Sequence, residues 1–308
     1  MKKIGIVILN YQTWELSLRC MESIQKTCQG LFYQIYLVDN ASKCPMPEQV
    51  RQRVGLDFEF LQASENKGYA AGNNLGFERA LADGCDVIVA ANSDILFQEH
   101  AVEKLAACLA AHPKVGIAAP KVVNDRYEIQ TSRCSMRTGI KEIFQIYTAA
   151  KWVFRKKWKK YYCMEQNQEM PADVYHASGC CFAFSRECAR QMVPLDEGTV
   201  LYYEELILGI RMEQAGYLTR YEPASVVMHK HGASSKQVRP FMYQCISQSE
   251  LYYCSRYLHA AKWQLRILYG YRRQLYFLRS LADREMRGYW KTFKRMAKRF
   301  YQAAVQNR

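Results

Sequence analysis

The sequence predicts an α/β protein built on a doubly wound, mostly parallel sheet flanked by helices. Short apolar runs rich in β-branched residues alternate with segments that carry apolar residues at helical spacing, and short connections join them. This alternation is typical of parallel sheets, whose strands are buried on both faces. With 308 residues, 49% of them hydrophobic, the chain is long enough to bury a sizeable core.

The first half of the chain supplies most of this pattern. Strands are predicted, in order, over 4–9, 34–38, 58–61, 87–91 and 116–119, and helices over 13–28, 69–81 and 99–111. In the first helix, Leu16, Cys20 and Ile24 share one face. Because parallel strands end on one edge of a sheet, the polar residues that follow them are expected at a single ligand-binding rim.

The second half is less regular. Aromatic and basic residues mix from 138 to 162, which predicts either a mobile loop or a basic amphipathic helix lying on a membrane. An apolar strand over 177–184, a helix over 203–215 and an extended segment over 217–227 follow, and the rest is mostly helical after Pro240. We therefore predict a boundary at 236, between an α/β domain over 1–236 and a basic, aromatic helical extension over 237–308.

Charge is concentrated in the extension. The net charge is +14, and from Lys262 to the end the chain carries 13 basic residues against only Asp283 and Glu285. A basic, aromatic tail suits an anionic membrane surface or nucleic acid. No nucleic-acid motif occurs, so nucleic acid is not expected as a partner. The alternatives to membrane association are helical packing on the catalytic domain and a homodimer interface.

Cysteine usage and the N-terminus suggest the compartment. The twelve cysteines lack a regular framework or a CxxC pair, which predicts reduced thiols in a cytoplasmic protein. The first apolar run is too short for a signal peptide, because Asn10 and Gln12 interrupt it. No apolar stretch approaches the ~20 residues that span a bilayer.

Polar residues near the strand ends are candidates for nucleotide and metal binding. Asp39 can accept a hydrogen bond from a base or a ribose, although such residues also cap helices. The glycine-rich segment 66–76 opens a helix, where backbone N–H groups favour phosphate, and Gly76 is interpreted as helix–sheet packing. Asp94 is a candidate ligand for Mg²⁺ or Mn²⁺, unless it only caps the next helix. The absence of GxGxxG excludes an NAD-dependent dehydrogenase.

Acidic and histidine pairs in the second half are candidates for acid–base chemistry. Four carboxylates lie close together in sequence: Asp196, Glu197, Glu204 and Glu205. The transfer of a group to a hydroxyl needs a base that takes the hydroxyl proton. One of Glu204 and Glu205 is expected to face a cleft while the other faces solvent. The alternative is that both belong to a solvated, acidic helix start. His229 and His231 alternate on an extended segment, so both can face one site, or serve as structural histidines.

An ordered series of motifs runs along the chain: VILNYQ, VDNAS, NKGYAAGNN, NSD, SGCCFAFSRE, LDEGTVLYYEEL and HKHGASS. This series resembles family 2 glycosyltransferases of the GT-A fold, and within them the rhamnosyltransferase-like group that builds bacterial surface polysaccharides. The resemblance implies that 1–236 is a nucleotide-sugar-binding catalytic domain. It covers about residues 3–236. It implies a Rossmann-like, mostly parallel sheet flanked by helices.

The resemblance also implies residue roles. The nucleotide sugar would contact Asn10, Asp39, Lys67, Gly68, Asn73, Asn92 and Ser93, with Asp39 on the uracil or thymine edge. Mg²⁺ or Mn²⁺ would be held by Asp94 and His229. The catalytic base would be Glu205. The acceptor side would contain Gly179, Asp196, Glu197, Glu204 and His231.

Three departures from the family pattern bear on activity. Asn92 occupies the first position of the acidic metal motif, Ile207 stands where a further Asp is usual, and Glu205 is one methylene longer than Asp. The expected function is inverting transfer of a sugar, with rhamnose suggested, from a nucleotide-diphosphate sugar to a saccharide acceptor. That acceptor is expected to be lipid-linked, in cell-surface polysaccharide synthesis on the inner face of the cell membrane. The alternative is a nucleotide-sugar-binding protein without transferase activity.

Overall fold

The computed structural model describes residues 2–52, 57–130, 133–230 and 239–306. The strands are β1 (Ile4–Asn10), β2 (Tyr33–Asp39), β3 (Phe58–Gln62), β4 (Val87–Asn92), β5 (Ile95–Phe97), β6 (Val115–Val123), β7 (Arg133–Cys134), β8 (Ala172–Val174), β9 (His176–Ala177), β10 (Cys181–Ser185) and β11 (Leu218–His229). The α-helices are α1 (Trp14–Thr27), α2 (Glu48–Arg51), α3 (Tyr69–Ala82), α4 (Ala101–Ala111), α5 (Ile140–Ile146), α6 (Arg155–Tyr161), α7 (Arg186–Met192), α8 (Glu204–Gln214), α9 (Arg239–Arg256), α10 (Lys262–Ala282) and α11 (Arg284–Gln306). A 3₁₀ helix spans Ala149–Trp152.

A nine-stranded sheet forms the centre, in the order β3-β2-β1-β4-β10-β6-β11-β5, with β8 paired to β11. Strands β3, β2, β1 and β4 are parallel, and β10 inserts antiparallel between β4 and β6. A second, two-stranded sheet joins β7 and β9. The predicted α/β fold class is confirmed, and the antiparallel strands lie in the half of the sheet beyond β4.

Both faces of the sheet are covered by helices. In β1, Ile4, Ile6 and Ile8 join the core layer under α1 and α4, while Val7 joins the layer under α3 and α7. Helix α3 lies so close to β1 that a Cβ on Gly76 would be 2.3 Å from Val7 Cγ1. The interpretation of Gly76 as a packing residue is therefore confirmed.

Several short elements were not predicted. Strand β5 has three residues and pairs antiparallel with β11, and three residues are too few to show a period. Residues 138–162 form neither a mobile loop nor a single helix. They form α5, the 3₁₀ helix and α6, with Ile143, Ile146 and Tyr161 buried.

The C-terminal helices share a core with the rest of the protein. Leu206, Ile207 and Ile210 of α8 pack in one cluster with Leu251 of α9 and Leu265 of α10. The predicted domain boundary at 236 falls outside the described residues and stays a prediction.

The aromatic residues of the tail divide into two sets. Tyr276 and Phe293 are buried and stack with ring centroids 3.9 Å apart, and Trp290 stacks on Tyr276. These rings join α10 to α11 and stabilise the packing of the two helices, so they are not available to a membrane surface. Trp263 and Phe277 remain exposed. Within the described ranges, no helix combines the length and apolar character needed to cross a bilayer.

Candidate active site

The ends of β1, β2 and β4 meet at one edge of the sheet, as predicted. Asn10 is in register with Asp39, and Leu9 with Asn92. The buried Asp39 carboxylate accepts hydrogen bonds from Asn10 Nδ2 at 2.8 Å, from Ser42 N at 3.0 Å and from Gln62 Nε2 at 3.0 Å. Gln62 is exposed, so its bond is the one that a ligand N–H can most readily replace.

The glycine-rich segment packs against the chain that leads to Glu205. Gly68 has a φ of 109°, and a Cβ there would lie 2.2 Å from the Val200 carbonyl oxygen. Tyr69 N donates to the same oxygen at 2.9 Å. Asn73 is buried and donates to the Tyr69 carbonyl at 3.0 Å, whereas Lys67 is exposed and pairs with Glu65 at 3.2 Å. Only glycine fits the position of Gly68.

The segment Asn92-Ser93-Asp94 connects the strand edge to the side-chain pair of Asp94 and His229. Ser93 Oγ lies 2.7 Å from Thr13 Oγ1, and Thr13 donates to Asn10 Oδ1. Asp94 is 7% exposed, and its Oδ1 lies 3.3 Å from His229 Nε2. Side-chain hydrogen bonds therefore connect Asp39, through Asn10 and Thr13, to Ser93, which precedes Asp94 in the chain.

Gln130 orients the His229 imidazole. Gln130 Nε2 donates to the His229 carbonyl at 3.0 Å, and Gln130 Oε1 lies 3.2 Å from His229 Nδ1. Because that oxygen can only accept, Nδ1 is the ring nitrogen that donates to Gln130, and Nε2 is the one that faces the Asp94 carboxylate. A carboxylate oxygen and an imidazole nitrogen are both ligand atoms for divalent cations.

The donor set of Asp94 and His229 therefore suits a divalent cation. Among the described residues, no group of three His, Cys, Asp or Glu side chains gathers as a metal site. A carboxylate and an imidazole would leave the remaining positions to phosphate oxygens and water, which is how Mg²⁺ and Mn²⁺ bind beside nucleotides.

Glu205 lies beside the loop that leads into β10. Its Oε1 accepts from Gly179 N at 3.0 Å, and Tyr69 Oη donates to the Gly179 carbonyl at 2.5 Å. Burial is the main reason that the pKa of the Cys180 thiol is raised to about 12, and the negative charges of Asp94 and Glu205 add to it. Both carboxylates therefore lie within electrostatic reach of one thiol.

Glu204 is buried rather than solvated, contrary to the expectation for one of this pair. It is 9% exposed, and its Oε1 has no hydrogen-bond partner in the described part of the chain. Burial, with the neighbouring charge of Glu205, raises the pKa of Glu204 to about 8. Burial therefore favours the protonated form of Glu204, and Glu205 is the carboxyl group that lines an open cavity.

The turn before α8 is strained and held from the C-terminal helices. Tyr202 and Tyr203 have φ values of 72° and 75°, which residues with a Cβ rarely adopt. Tyr203 Oη donates to Glu250 Oε1 at 2.9 Å, and Glu250 forms a buried ion pair with Arg272. Sequence reasoning missed these partners, because nothing in the sequence relates residues so far apart.

The other predicted acceptor-side residues have structural contacts. Asp196 accepts from Tyr252 Oη at 3.0 Å and also from Tyr257 Oη. Glu197 accepts from Asn74 Nδ2 at 2.8 Å. His231 lies outside the described residues.

Ile207 fills the third core cluster and is 2% exposed. An Asp there would be a charge buried among apolar side chains. The departure from the family pattern at this position thus has a packing reason in this chain.

The chain was compared with known proteins. It is 25% identical over 239 residues to "N-acetylglucosaminyl-diphospho-decaprenol L-rhamnosyltransferase" of Mycobacterium tuberculosis, from strains CDC 1551 / Oshkosh and ATCC 25618 / H37Rv. Each alignment covers 75% of this chain and 76% of the relative.

Two solved structures share the fold at 15% identity. GalNAc-T7, crystallised with UDP, GalNAc and Mn²⁺, superposes with a TM-score of 0.59 over 83% of this chain, which spans about half (51%) of that chain's length. The mannosyltransferase PcManGT from Pyrobaculum calidifontis, in complex with GDP-Man and Mn²⁺, gives a TM-score of 0.53 over 99% of this chain and 87% of that one.

The profile of "Glycosyl transferase family 2" matches residues 5–193. That match includes the strand edge with Asn10, Asp39 and Asp94 and ends before Glu205 and His229. Since it covers more than half of the 308 residues, the chain belongs to glycosyl transferase family 2.

Proposed function

We propose that this protein is an inverting glycosyltransferase in which Glu205 is the base and Asp94 and His229 hold a divalent cation. The observation that carries the proposal is that Glu205 and the chain just before Asp94 both bond to the Gly179–Cys180 segment. Glu205 accepts from Gly179 N at 3.0 Å, and the Cys180 carbonyl accepts from Asn92 N at 2.9 Å, two residues before Asp94. A proton acceptor and a cation site therefore flank one short segment at the carboxyl edge of the sheet, where α/β folds bind ligands.

The donor is a nucleotide-diphosphate sugar. Asp39, with Asn10 behind it, accepts from the nucleoside in place of the exposed Gln62. Lys67, Gly68 and Asn73 lie along the diphosphate, and Asn92 and Ser93 lead to Asp94. The cation supplies charge neutralisation to the leaving diphosphate.

The chemical step is a single displacement. The acceptor oxygen bonds to the anomeric carbon as the bond from that carbon to the diphosphate oxygen breaks. The hydroxyl proton passes to Glu205, and the bonding electron pair leaves with the nucleoside diphosphate. Attack from the face opposite the leaving group inverts the anomeric configuration, and the bond from Gly179 N holds Glu205 in position for it.

The acceptor is a lipid-linked saccharide and the donor sugar is rhamnose. The support for both is the name of the mycobacterial relative, which states L-rhamnose transfer to a sugar on a diphospho-decaprenol. The first cavity to test with such an acceptor is the one lined by Glu205.

The protein binds an anionic membrane surface through α10. Trp263, Ile267, Leu278 and Leu281 recur at helical spacing and are 50–63% exposed, and basic side chains flank them. Co-sedimentation with anionic vesicles should fall in Ile267→Glu and Leu278→Glu, whereas Leu218→Glu, an exposed leucine on β11, should bind like the wild type. Binding by the Leu278→Glu variant that matched the wild type would refute the assignment.

Transfer and cation dependence test the catalytic proposal. We expect Glu205→Gln to lower kcat by about 10²–10⁴-fold, the usual contribution of a general base. Asp94→Asn should abolish the response to Mg²⁺ or Mn²⁺. Glu213→Gln is the matched control, because it makes the same change on the exposed side of α8.

The same assay separates the alternative function. A wild-type protein that binds nucleotide sugars but transfers none to any acceptor would be a nucleotide-sugar-binding protein. Full turnover in a folded Glu205→Gln variant would instead remove Glu205 from the base role.

A further inference from the structure

A cavity of about 690 Å³ opens beside Glu205. Its walls are the end of β9, the segment from α5 to Trp152, the turn before α8, and α9 and α10. Of the described residues that line it, Glu205 is the only acidic one, whereas Arg133, Lys151, Arg272 and Arg279 are basic. The cavity thus has one carboxylate at the reaction centre and an excess of positive charge.

Two hydrogen bonds hold the cavity together. Tyr271 Oη accepts from Ala149 N at 2.8 Å, and Arg272 Nη2 donates to the Tyr147 carbonyl at 3.2 Å. Both bonds tie the 3₁₀ helix and the end of α5 to α10. The wall that carries Lys151 is therefore fixed against the helix that carries Arg279.

Three basic groups of the lining are buried inside its walls. Arg272 is paired with Glu250 at 2.5 Å. The Arg133 guanidinium lies 3.8 Å from the centroid of the Tyr221 ring and donates from Nη2 to Gln168 at 2.8 Å, while its Nε and Nη1 are buried with no hydrogen-bond partner among the described residues. Burial lowers the pKa of His176 to about 4, so this imidazole is neutral at pH 7.

Lys151 and Arg279 are different. Neither forms an ion pair with a carboxylate in the part of the chain that the structure describes. Lys151 Nζ lies 5.5 Å from the centroid of the Trp152 ring, and Arg279 Cζ lies 5.2 Å from that of Tyr243. Cations placed on aromatic faces, at the wall of a cavity and without a counter-ion, suit an anionic ligand.

Exposed apolar side chains lie on the Lys151 side of the cavity. Trp152, which lines the cavity, is 74% exposed, and the adjacent Val153 is 82% exposed. Leu278 and Leu281 are also exposed, but they project about 100° and 200° away from Arg279 around α10. A ligand held by both cations would therefore have apolar surface within reach at the 3₁₀ helix.

We propose that the cavity binds a phosphate-linked, lipid-borne acceptor sugar, with its phosphate on Lys151 and Arg279, its reacting hydroxyl toward Glu205 and its lipid along the exposed Trp152 and Val153. The assignment rests on the proposed function, whose acceptor it locates. Lys151 and Arg279 are binding residues that recognise the phosphate and take no part in the chemical step.

Direct binding tests the site without turnover. The full chain is titrated with farnesyl diphosphate, inorganic diphosphate and farnesol in EDTA, so that no divalent cation supports diphosphate binding at Asp94. We expect farnesyl diphosphate to bind more tightly than either fragment. Its dissociation constant should rise about tenfold in Arg279→Gln and in Lys151→Gln, as the loss of one charge-assisted contact predicts.

Matched controls remove the same charges elsewhere. Arg273→Gln on α10 and Lys156→Gln on α6 alter exposed cations that do not line the cavity, and both should bind like the wild type. Arg279→Lys should recover most of the affinity. Equal losses in Arg273→Gln and Arg279→Gln would reduce the effect to net charge and overturn the assignment.

The two other ligands provide further outcomes. Farnesol that bound as tightly as farnesyl diphosphate would overturn a phosphate site. Inorganic diphosphate that bound equally well, with the same sensitivity to Arg279→Gln, would indicate a free-anion site and overturn the lipid-borne acceptor.

Transfer kinetics separate this inference from the proposed function. With a phosphate-linked acceptor, Arg279→Gln should raise the acceptor KM about tenfold and leave kcat and the donor KM unchanged. With an alkyl glycoside of the same sugar, which has no phosphate, the acceptor KM of Arg279→Gln should equal that of the wild type. Charge-dependent farnesyl diphosphate binding without any transfer would refute the proposed function and leave the site standing, whereas normal transfer with an unchanged acceptor KM would refute the site alone.

Discussion

Replacement of Gly68 by alanine is the perturbation whose consequences the structure defines most sharply. Gly68 combines a φ of 109° and a ψ of −172° with direct contact to the chain before Glu205. The new Cβ would lie 2.2 Å from the Val200 carbonyl oxygen and 2.7 Å from its Cα. Both neighbours are backbone atoms, so no side chain can rotate to make room.

Gly68→Ala should lower the free energy of unfolding for two reasons. A backbone conformation that is essentially restricted to glycine costs other residues about 1–3 kcal/mol, and overpacking adds about 1–3 kcal/mol. The lower entropy of the unfolded alanine variant offsets about 0.4–1 kcal/mol. We therefore expect Gly68→Ala to lower the free energy of unfolding by about 2–5 kcal/mol.

Gly30→Ala is the control that isolates the backbone term. Gly30 also has a positive φ, 79°, but nothing lies within 4 Å of its added Cβ. Its unfolding free energy should fall by only about 1 kcal/mol. Urea denaturation of the wild type and both variants measures these free energies of unfolding. If the Gly68→Ala variant is no less stable than the Gly30→Ala variant, the close contact at Gly68 is refuted.

The same variant should lose transfer activity. To relieve the clash, Val200 must move, and with it the bond from Tyr69 N and the turn that leads to Glu205. A displacement of about 1 Å at a reacting group costs about 100-fold in rate. We expect kcat/KM to fall by that order in folded Gly68→Ala and to stay near the wild-type value in Gly30→Ala.

Three further substitutions test groups around the site. Burial raises the pKa of Glu204 in the folded state, so its contribution to the free energy of unfolding is complete below its unfolded pKa and is lost as pH rises through about 8. Urea titrations of the wild type between pH 5 and pH 9 should show this decline in the free energy of unfolding, and Glu204→Gln should remove it. Arg272→Met should lower the free energy of unfolding by about 3–5 kcal/mol, because Glu250 is left as an unpaired buried charge, and adding Glu250→Gln should restore most of it. Gln130→Ala should weaken the apparent affinity for Mn²⁺ in transfer assays by about 10–100-fold, because His229 loses the partner that orients it, and an unchanged cation titration would contradict that role.

Local patterns were sufficient to predict the first half of the fold. In strands β1, β2 and β4, short apolar runs end at polar residues, and the parallel arrangement follows from the helices between them. The meeting of Asn10, Asp39 and Asn92 at one edge was predictable, because the ends of parallel strands coincide wherever the chain alternates between strand and helix.

The antiparallel part of the sheet was not predictable in this way. Strand β10 inserts between β4 and β6, far from both in sequence, and β5 is too short to show a period. The pairing partners of such isolated strands depend on the whole fold. The helix that follows β10 did have a local signal, because Ser185 caps α7 by accepting from Cys188 N at 3.3 Å.

The sequence by itself determined the α/β class, the family resemblance and the chemical identity of the candidate groups, because these depend on local residue order. Only the tertiary structure decided which of two adjacent carboxylates is buried: Glu204 lies in the interior, and Glu205 lines the cavity. It also decided that Gln130 orients His229 and that Lys151 and Arg279 share one cavity. Burial and long-range contact are properties of the packed chain, and no spacing along the sequence encodes them.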